Sequence, residues 1–195
     1  MIIKNILPES YKTELKNLIG SNDFPWYWSD GTIRGAKEEL IFQFNHLFYH
    51  KDEGGIASNL YQNIVPIIYF FEKETNLKVK KVHKVKANLL TKLDATDEEI
   101  KTCFHRDVGS VSVKDLSRNE FYENYVSLIY YVIDSDGDTV ICDDNLNEIE
   151  RVNPIAGNLV WFKSTLPHYG APPKINKRRI VINFVLELEQ ENTNG

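Results

Sequence analysis

Three side chains with the chemistry of metal ligands stand at suggestive positions. His105 and Asp107 form a His-x-Asp pair, and alternate positions of an extended segment share one face. One imidazole and one carboxylate supply two ligands, so a third must arrive from elsewhere in the chain. Of the five histidines (His46, His50, His83, His105, His168), His168 has the context for it. Two imidazoles and one carboxylate on one side of an iron(II) leave three positions open. These suffice for a bidentate co-substrate and dioxygen, as non-haem iron oxygenation requires.

A His-x-Asp pair is common, and the competing reading is a surface histidine beside a loop aspartate. The surroundings of His168 argue for a ligand. Asn158-Leu159-Val160-Trp161-Phe162 reads as a strand, His168-Tyr169-Gly170 follows, and Arg178-Arg179-Ile180-Val181-Ile182-Asn183-Phe184 opens another strand on two cations. A metal ligand followed by a strand-opening arginine suits a keto-diacid such as 2-oxoglutarate. Its keto-acid end chelates the metal, and its far carboxylate takes bidentate, charge-assisted bonds from a guanidinium.

These residues need rigid elements to hold them. A helix is expected over Pro8–Ile19, with Tyr11, Leu15, Leu18 and Ile19 on one face and Gly20 as its stop. Phe24-Pro25-Trp26-Tyr27-Trp28 reads as an aromatic loop, either a plug on the core or a wall of a cleft. Leu40–Tyr49 reads as a strand, and Ser58 caps a helix that Pro66 should kink or restart. Lys78–Leu90 is a strand with six basic residues between Lys78 and Lys86 when His83 is included. The reading preferred for them is lysines guarding an exposed sheet edge, the alternative a nucleic-acid groove. Downstream, short strands alternate with turns: Tyr125–Ile133, a hairpin turn at Asp134–Asp138, Thr139–Cys142, a turn at Asn153–Gly157, Asn158–Phe162, and Lys177–Leu188, which is apolar on both faces.

The predicted fold is mainly β with packed N-terminal helices (α+β), built on a double-stranded β-helix (jelly-roll, cupin-like) core. A single domain is expected, with helical and aromatic support over about 1–83, the core over about 84–188 and a disordered tail at 189–195. The polar stretch Asp107–Asn124, beside the expected metal, is a candidate lid. Asp134-Ser135-Asp136-Gly137-Asp138 fails as a calcium loop, because its glycine falls at position four and position twelve is Asn145. A net charge of −5 argues against a mainly nucleic-acid-binding role. Cys103 and Cys142 make no disulfide framework and read as reduced core thiols. With no signal-like or membrane-spanning run, a soluble cytoplasmic protein is expected.

His105-x-Asp107, His168 and Arg179-x-x-x-Asn183 together resemble the iron(II)/2-oxoglutarate-dependent dioxygenase superfamily, specifically its prolyl-4-hydroxylase-like branch. Tyr130–Asp134 and Asp136-Gly137-Asp138-Thr139 are similar to that branch's tyrosine strand and the turn after it. Phe24-Pro25-Trp26, Phe42-Gln43-Phe44 and Lys86–Leu90 resemble small bacteriophage oxygenases, which would place the protein in a host cytoplasm. The resemblance implies His105, Asp107 and His168 as iron(II) ligands and Arg179 as the 2-oxoglutarate clamp. Arg178 competes for that role, but Arg179 shares a strand face with Val181 and Asn183. Tyr131 is implied to bond or pack against the same co-substrate. Where the family keeps a tyrosine before the His-x-Asp, this chain has Asn88-Leu89-Leu90, and Asn88 is the candidate substitute. The implied activity is dioxygen-dependent hydroxylation of an unidentified substrate. The alternatives are a nucleic-acid or nucleobase oxygenase using Lys78–Lys86 and Trp26–Trp28, and a non-catalytic metal-binding jelly roll.

Overall fold

The computed structural model describes residues 1–31, 41–96, 99–100, 103–109 and 122–190. Among the described residues eleven strands are arranged in two sheets around a double-stranded β-helix core. The larger sheet runs β1 (Ile2–Ile3), β9 (Leu159–Lys163), β6 (Tyr125–Tyr131), β11 (Arg178–Leu188), β5 (Val79–Thr91), β3 (Gln43–His50), β2 (Tyr27–Ser29), with β4 (Gly55–Ile56) also on β3. The smaller sheet runs β10 (His168–Gly170), β7 (Thr139–Cys142), β8 (Glu148–Val152). Every pairing is antiparallel, and β11 lies between β5 and β6 at the centre. That place explains why the middle of β11 is apolar on both faces.

Strand alternation gives the larger sheet two unlike faces. Ile180, Ile182, Phe184 and Leu186 of β11, with Leu128 and Tyr130 of β6 and Val85, Ala87 and Leu89 of β5, form the outer face. It is covered by helices α1 (Glu9–Ile19) and α2 (Pro66–Thr75) through Leu15, Ile19, Ile67, Ile68 and Phe71. Gly20 ends α1, and Pro66 starts α2 after a 3-10 turn, Asn59–Asn63, in which the Leu60 N–H donates to the Ser58 hydroxyl. Proline is well placed there because the first helical N–H has no partner to lose. On the inner face, Ile129, Tyr131, Val160, Phe162 and Val181 meet Ile141 and Val152 of the smaller sheet.

Three expectations change. Asp134–Asp138 is not a hairpin turn: β6 already has β11 and β9 on its two sides, so β7 crosses to the smaller sheet. Lys84 and Lys86 guard no edge, because that part of β5 pairs on both sides, with β11 and β3; Lys80 and Lys81 lie beyond the β3 pairing, where β5 pairs with β11. The aromatic loop contains strand β2, with Phe24 buried and Tyr27 and Trp28 exposed. Most of the candidate lid (110–121) and the last residues of the tail (191–195) lie outside the described residues. Among the described residues no helix is long and apolar enough to cross a membrane. Both cysteines are buried, and neither forms a disulfide.

Candidate metal centre and anion pocket

His105 arrives on the connection from β5 to β6. Thr96 and Glu99 cap a short turn reciprocally: the Thr96 N–H donates to the Glu99 carboxylate and the Glu99 N–H to the Thr96 hydroxyl. Beyond it, Ile100 and Cys103 anchor the chain in an apolar cluster with Leu90, Val140 and Tyr169. His105 then pairs with His168, each backbone N–H donating to the other's carbonyl at 3.1 and 2.9 Å. This antiparallel bridge places the two imidazoles side by side, ring centroids 4.4 Å apart. Two residues on, the Asp107 N–H donates to Ser164 O at 3.1 Å, which fixes the aspartate beside them.

One atom from each of His105, Asp107 and His168 falls within 4.8 Å of the others, a cluster that fits a metal ion. The remaining contacts orient these groups. His105 Nδ1 lies 3.3 Å from Cys103 O and His168 Nδ1 lies 3.0 Å from Leu166 O. A carbonyl only accepts, so each Nδ1 carries the proton and each Nε2 keeps its lone pair. His168 Nε2 is buried with no hydrogen-bond donor, 3.6 Å from Asp107 Oδ2. Asp107 Oδ2 accepts from Ser127 Oγ at 2.5 Å and Asn183 Nδ2 at 3.4 Å, and Ser127 is itself held by Ser164 Oγ at 2.9 Å.

The charge states suit the same purpose. Burial, with the neighbouring His168, lowers the His105 pKa to about 3, so its imidazole is neutral at physiological pH. Burial alone would raise Asp107, but His168, His105 and the Ser127 hydrogen bond outweigh it and hold the carboxyl at about 2. Neutral imidazole and ionised carboxylate are the forms a divalent cation binds.

Arg179 is buried at the mouth of β11, and burial lowers its pKa. Its Nε donates to Gly137 O at 2.7 Å and its Nη2 to Thr139 Oγ1 at 2.7 Å. It has no ion-pair partner among the described residues. Tyr131 OH donates to the same Thr139 Oγ1 at 2.8 Å, and burial raises the Tyr131 pKa to about 12. Because Thr139 Oγ1 accepts from both, its own proton is left to donate. A Cβ on Gly170 would lie 2.8 Å from Arg179 Nη1, so the lack of a side chain there makes room for the guanidinium. Arg178 faces the other way and donates to Gly20 O at 3.0 Å.

A cavity joins the two groups of residues. Its lining includes His105 at one end and Arg179 at the other, with Gln43, Lys86, Asn88, Leu90, Cys103 and Gly170 between them. Asn88 Oδ1 is buried and unpartnered, and so is Asn183 Oδ1. The structure thus gathers His105, Asp107, His168, Asn183, Asn88 and Arg179 on one inner face, with Tyr131 behind Arg179. Sequence reasoning missed Ser127, Ser164, Thr139, Gly137 and Gly170. Ser127 was the findable one, since it is polar at an inward position of the otherwise apolar β6. The basic run of β5 is divided: Lys80 pairs with Glu187 at 2.6 Å, whereas Lys84 and Lys86 face inward.

Comparison of the sequence with protein-family models and with curated proteins finds no match in either. Solved structures do match. A 2OG-Fe(II) oxygenase-family oxidoreductase from Burkholderia pseudomallei aligns with a TM-score of 0.67 and 11% identity, over 96% of this chain and 84% of that one. A Pseudomonas putida prolyl-4-hydroxylase aligns at 0.58 and 14%, over 97% and 92%. The fold is that of the 2-oxoglutarate and iron(II) oxygenases. The epimerase SnoN, solved with Fe3+, alpha ketoglutarate and nogalamycin RO, aligns at 0.54 and 12%, over 96% and 78%. At these identities the shared property is the fold, and one fold hosts several chemistries.

Proposed function

We propose that this protein is a non-haem iron(II)- and 2-oxoglutarate-dependent dioxygenase that hydroxylates a C–H bond of its substrate. The observation that carries the reading is the single cavity joining His105 to Arg179, a buried guanidinium without a carboxylate partner among the described residues. An unpaired buried charge is costly, and the distal carboxylate of 2-oxoglutarate would neutralise it.

In this reading His105, Asp107 and His168 hold iron(II), and the orphaned His168 Nε2 supports that fit. With 2-oxoglutarate and dioxygen, iron in such a site supplies oxidative decarboxylation to succinate and carbon dioxide coupled to substrate oxidation. The chain's own residues position and insulate. Ser127 and Asn183 hold the Asp107 carboxylate; Cys103 O and Leu166 O fix the imidazole tautomers. Arg179 and the Thr139 hydroxyl bind the far carboxylate, with Tyr131 fixing the Thr139 oxygen, and Asn88 offers its amide to the co-substrate. The relatives in fold include a prolyl-4-hydroxylase and SnoN, which is solved with nogalamycin RO, so a protein side chain and a small molecule are both within reach of the scaffold. Placement in the prolyl-4-hydroxylase-like branch, and beside small bacteriophage oxygenases, rests on the sequence motifs.

The test is succinate release. Iron-loaded protein in air is expected to convert 2-oxoglutarate slowly to succinate without added substrate, and His168→Ala is expected to abolish this. Folded, metal-loaded protein that releases no succinate would favour a non-catalytic metal-binding module instead.

A further inference from the structure

Beyond the metal ligands the inner face continues as a groove across β3 and β5. Gln43, Asn45 and Leu47 of β3 and Lys84 and Lys86 of β5 line it, with His50 and Glu53 at its end. The two lysines occupy alternate positions of an interior strand, so both side chains point the same way, about 7 Å apart along the strand. Some lysines of this acidic chain pair with carboxylates at the surface: Lys80 has Glu187 at 2.6 Å and Lys12 has Glu9 at 2.6 Å. Lys84 and Lys86 are half-buried and have neither a hydrogen bond nor an ion pair among the described residues.

Both feel the negative charge of Asp107, which Ser127 and Asn183 already engage, and Glu53 lies at the end of the groove. Lys86 is the register partner of Asn183, whose amide donates to Asp107 Oδ2. The ammonium groups therefore sit one strand away from the metal-ligand carboxylate, on the side opening to the groove. Two ammoniums held together on a partly desolvated floor repel each other, and an anion bridging them removes that cost.

We propose that the substrate is a small organic acid, a carboxylate or a phosphate monoester, whose anionic group is bound by Lys84 and Lys86 within a few bonds of the reacting C–H. This rests on the oxygenase reading for the word substrate, but the anion site can be tested apart from it. Asn45 and Gln43, which line the groove with these lysines, would supply the neutral hydrogen bonds that fix the acid's orientation.

The experiment uses full-length protein loaded with zinc and saturated with 2-oxoglutarate, so that the inner cavity is filled. Propionate, methyl phosphate and neutral propionamide are titrated while backbone amide shifts are followed by NMR. Propionate or methyl phosphate is expected to shift amides of β3 and β5, propionamide to leave them in place, and the tighter anion identifies the acid class. In Lys84→Gln/Lys86→Gln the anion affinity is expected to fall about tenfold or more, as for loss of charge-assisted bonds. Lys86 also lines the inner cavity, so 2-oxoglutarate affinity is compared in Lys84→Gln alone, where it is expected to stay within about twofold, since a single hydrogen bond already exceeds that. Relief of the unpaired charge is also expected to raise the melting temperature of Lys86→Met. Equal binding of propionamide, no shift on β3 and β5, or a large loss of 2-oxoglutarate affinity in Lys84→Gln would overturn the proposal. Wild-type protein that ignores 2-oxoglutarate but binds the anions at β5 would sink the oxygenase reading while leaving the anion site standing.

Discussion

The two faces of β11 and its neighbours differ more than any other pair of surfaces in the molecule. Outward, Ile180, Ile182, Phe184 and Leu186 are sealed under two helices, and almost no solvent reaches them. Inward, the same strand presents Arg179 and Asn183, and the adjoining β5 presents Lys84, Lys86 and Asn88. The outer face stabilises the sheet, although Tyr130 OH and Trp161 Nε1 are buried there without partners; on the inner face Asn88 Oδ1, His168 Nε2 and Asn183 Oδ1 are buried without partners around one cavity. A polar, incompletely satisfied inner face is what a binding site looks like before its ligands are counted.

The largest expected effect tests the outer face. Phe184→Ala should destabilise the protein by about 3–5 kcal/mol in chemical denaturation. Zinc affinity of the folded variant should be little changed, and a large loss would mean the faces are not independent. On the inner face, Asp107→Ala should lower metal affinity by more than ~100-fold, the upper range for removing an outer-shell partner alone. Its thermal stability without metal should fall far less than that of Phe184→Ala.

Next come changes at the anion end. Arg179→Met should weaken 2-oxoglutarate binding about 10- to 100-fold, the range for a lost charge-assisted hydrogen bond. Gly170→Ala should do the same without touching a charge, because its methyl would fall 2.8 Å from Arg179 Nη1. Both should leave zinc affinity intact in competition titrations; a parallel loss would place Arg179 in the metal site instead. Ser127→Ala should cost about tenfold in metal affinity, through a loosened Asp107.

The smallest effect is in pH. The His105 pKa is about 3 folded and 6.5 ordinarily, so on acidification through that window the unfolded chain takes up a proton that the fold refuses. Metal-free wild type should therefore lose stability as pH falls from 6.5 toward 3, and His105→Gln should lose less. Asp107, held at about 2 against 3.8, adds a stabilising part that is lost only below its ordinary value. Denaturation midpoints across this range, with matching slopes for both proteins, would contradict the assignment of His105 as a buried neutral imidazole.

Much of this was legible in the chain because the outer face follows simple alternation. The period of Ile180, Ile182 and Phe184 marks β11, and Pro66 and Gly20 mark helix ends. The metal site was legible because His-x-Asp and His168 are chemically distinctive letters. Arg179 was separable from Arg178 by the resemblance of Arg179-x-x-x-Asn183 to the family pattern together with strand parity, and the structure places Arg178 on the outer side against Gly20. The pairing of β7 was not legible, since a turn after β6 reads the same whether the next strand returns or crosses to another sheet. Nor was the direction of Lys84 and Lys86: a lysine-rich strand looks like an edge until both its neighbours are known. Thr139 and Gly170 were hidden for a similar reason. Small residues take their meaning from what packs over them, here the Arg179 guanidinium.

The central claim, that one cavity holds iron(II) and 2-oxoglutarate together, is tested most directly by optical absorption under anaerobic conditions. Adding iron(II) and then 2-oxoglutarate to the folded protein should produce a metal-to-ligand charge-transfer band, absent in His168→Ala and requiring more 2-oxoglutarate in Arg179→Met. Folded wild-type protein that binds iron(II) yet gives no such band at saturating 2-oxoglutarate would contradict the account.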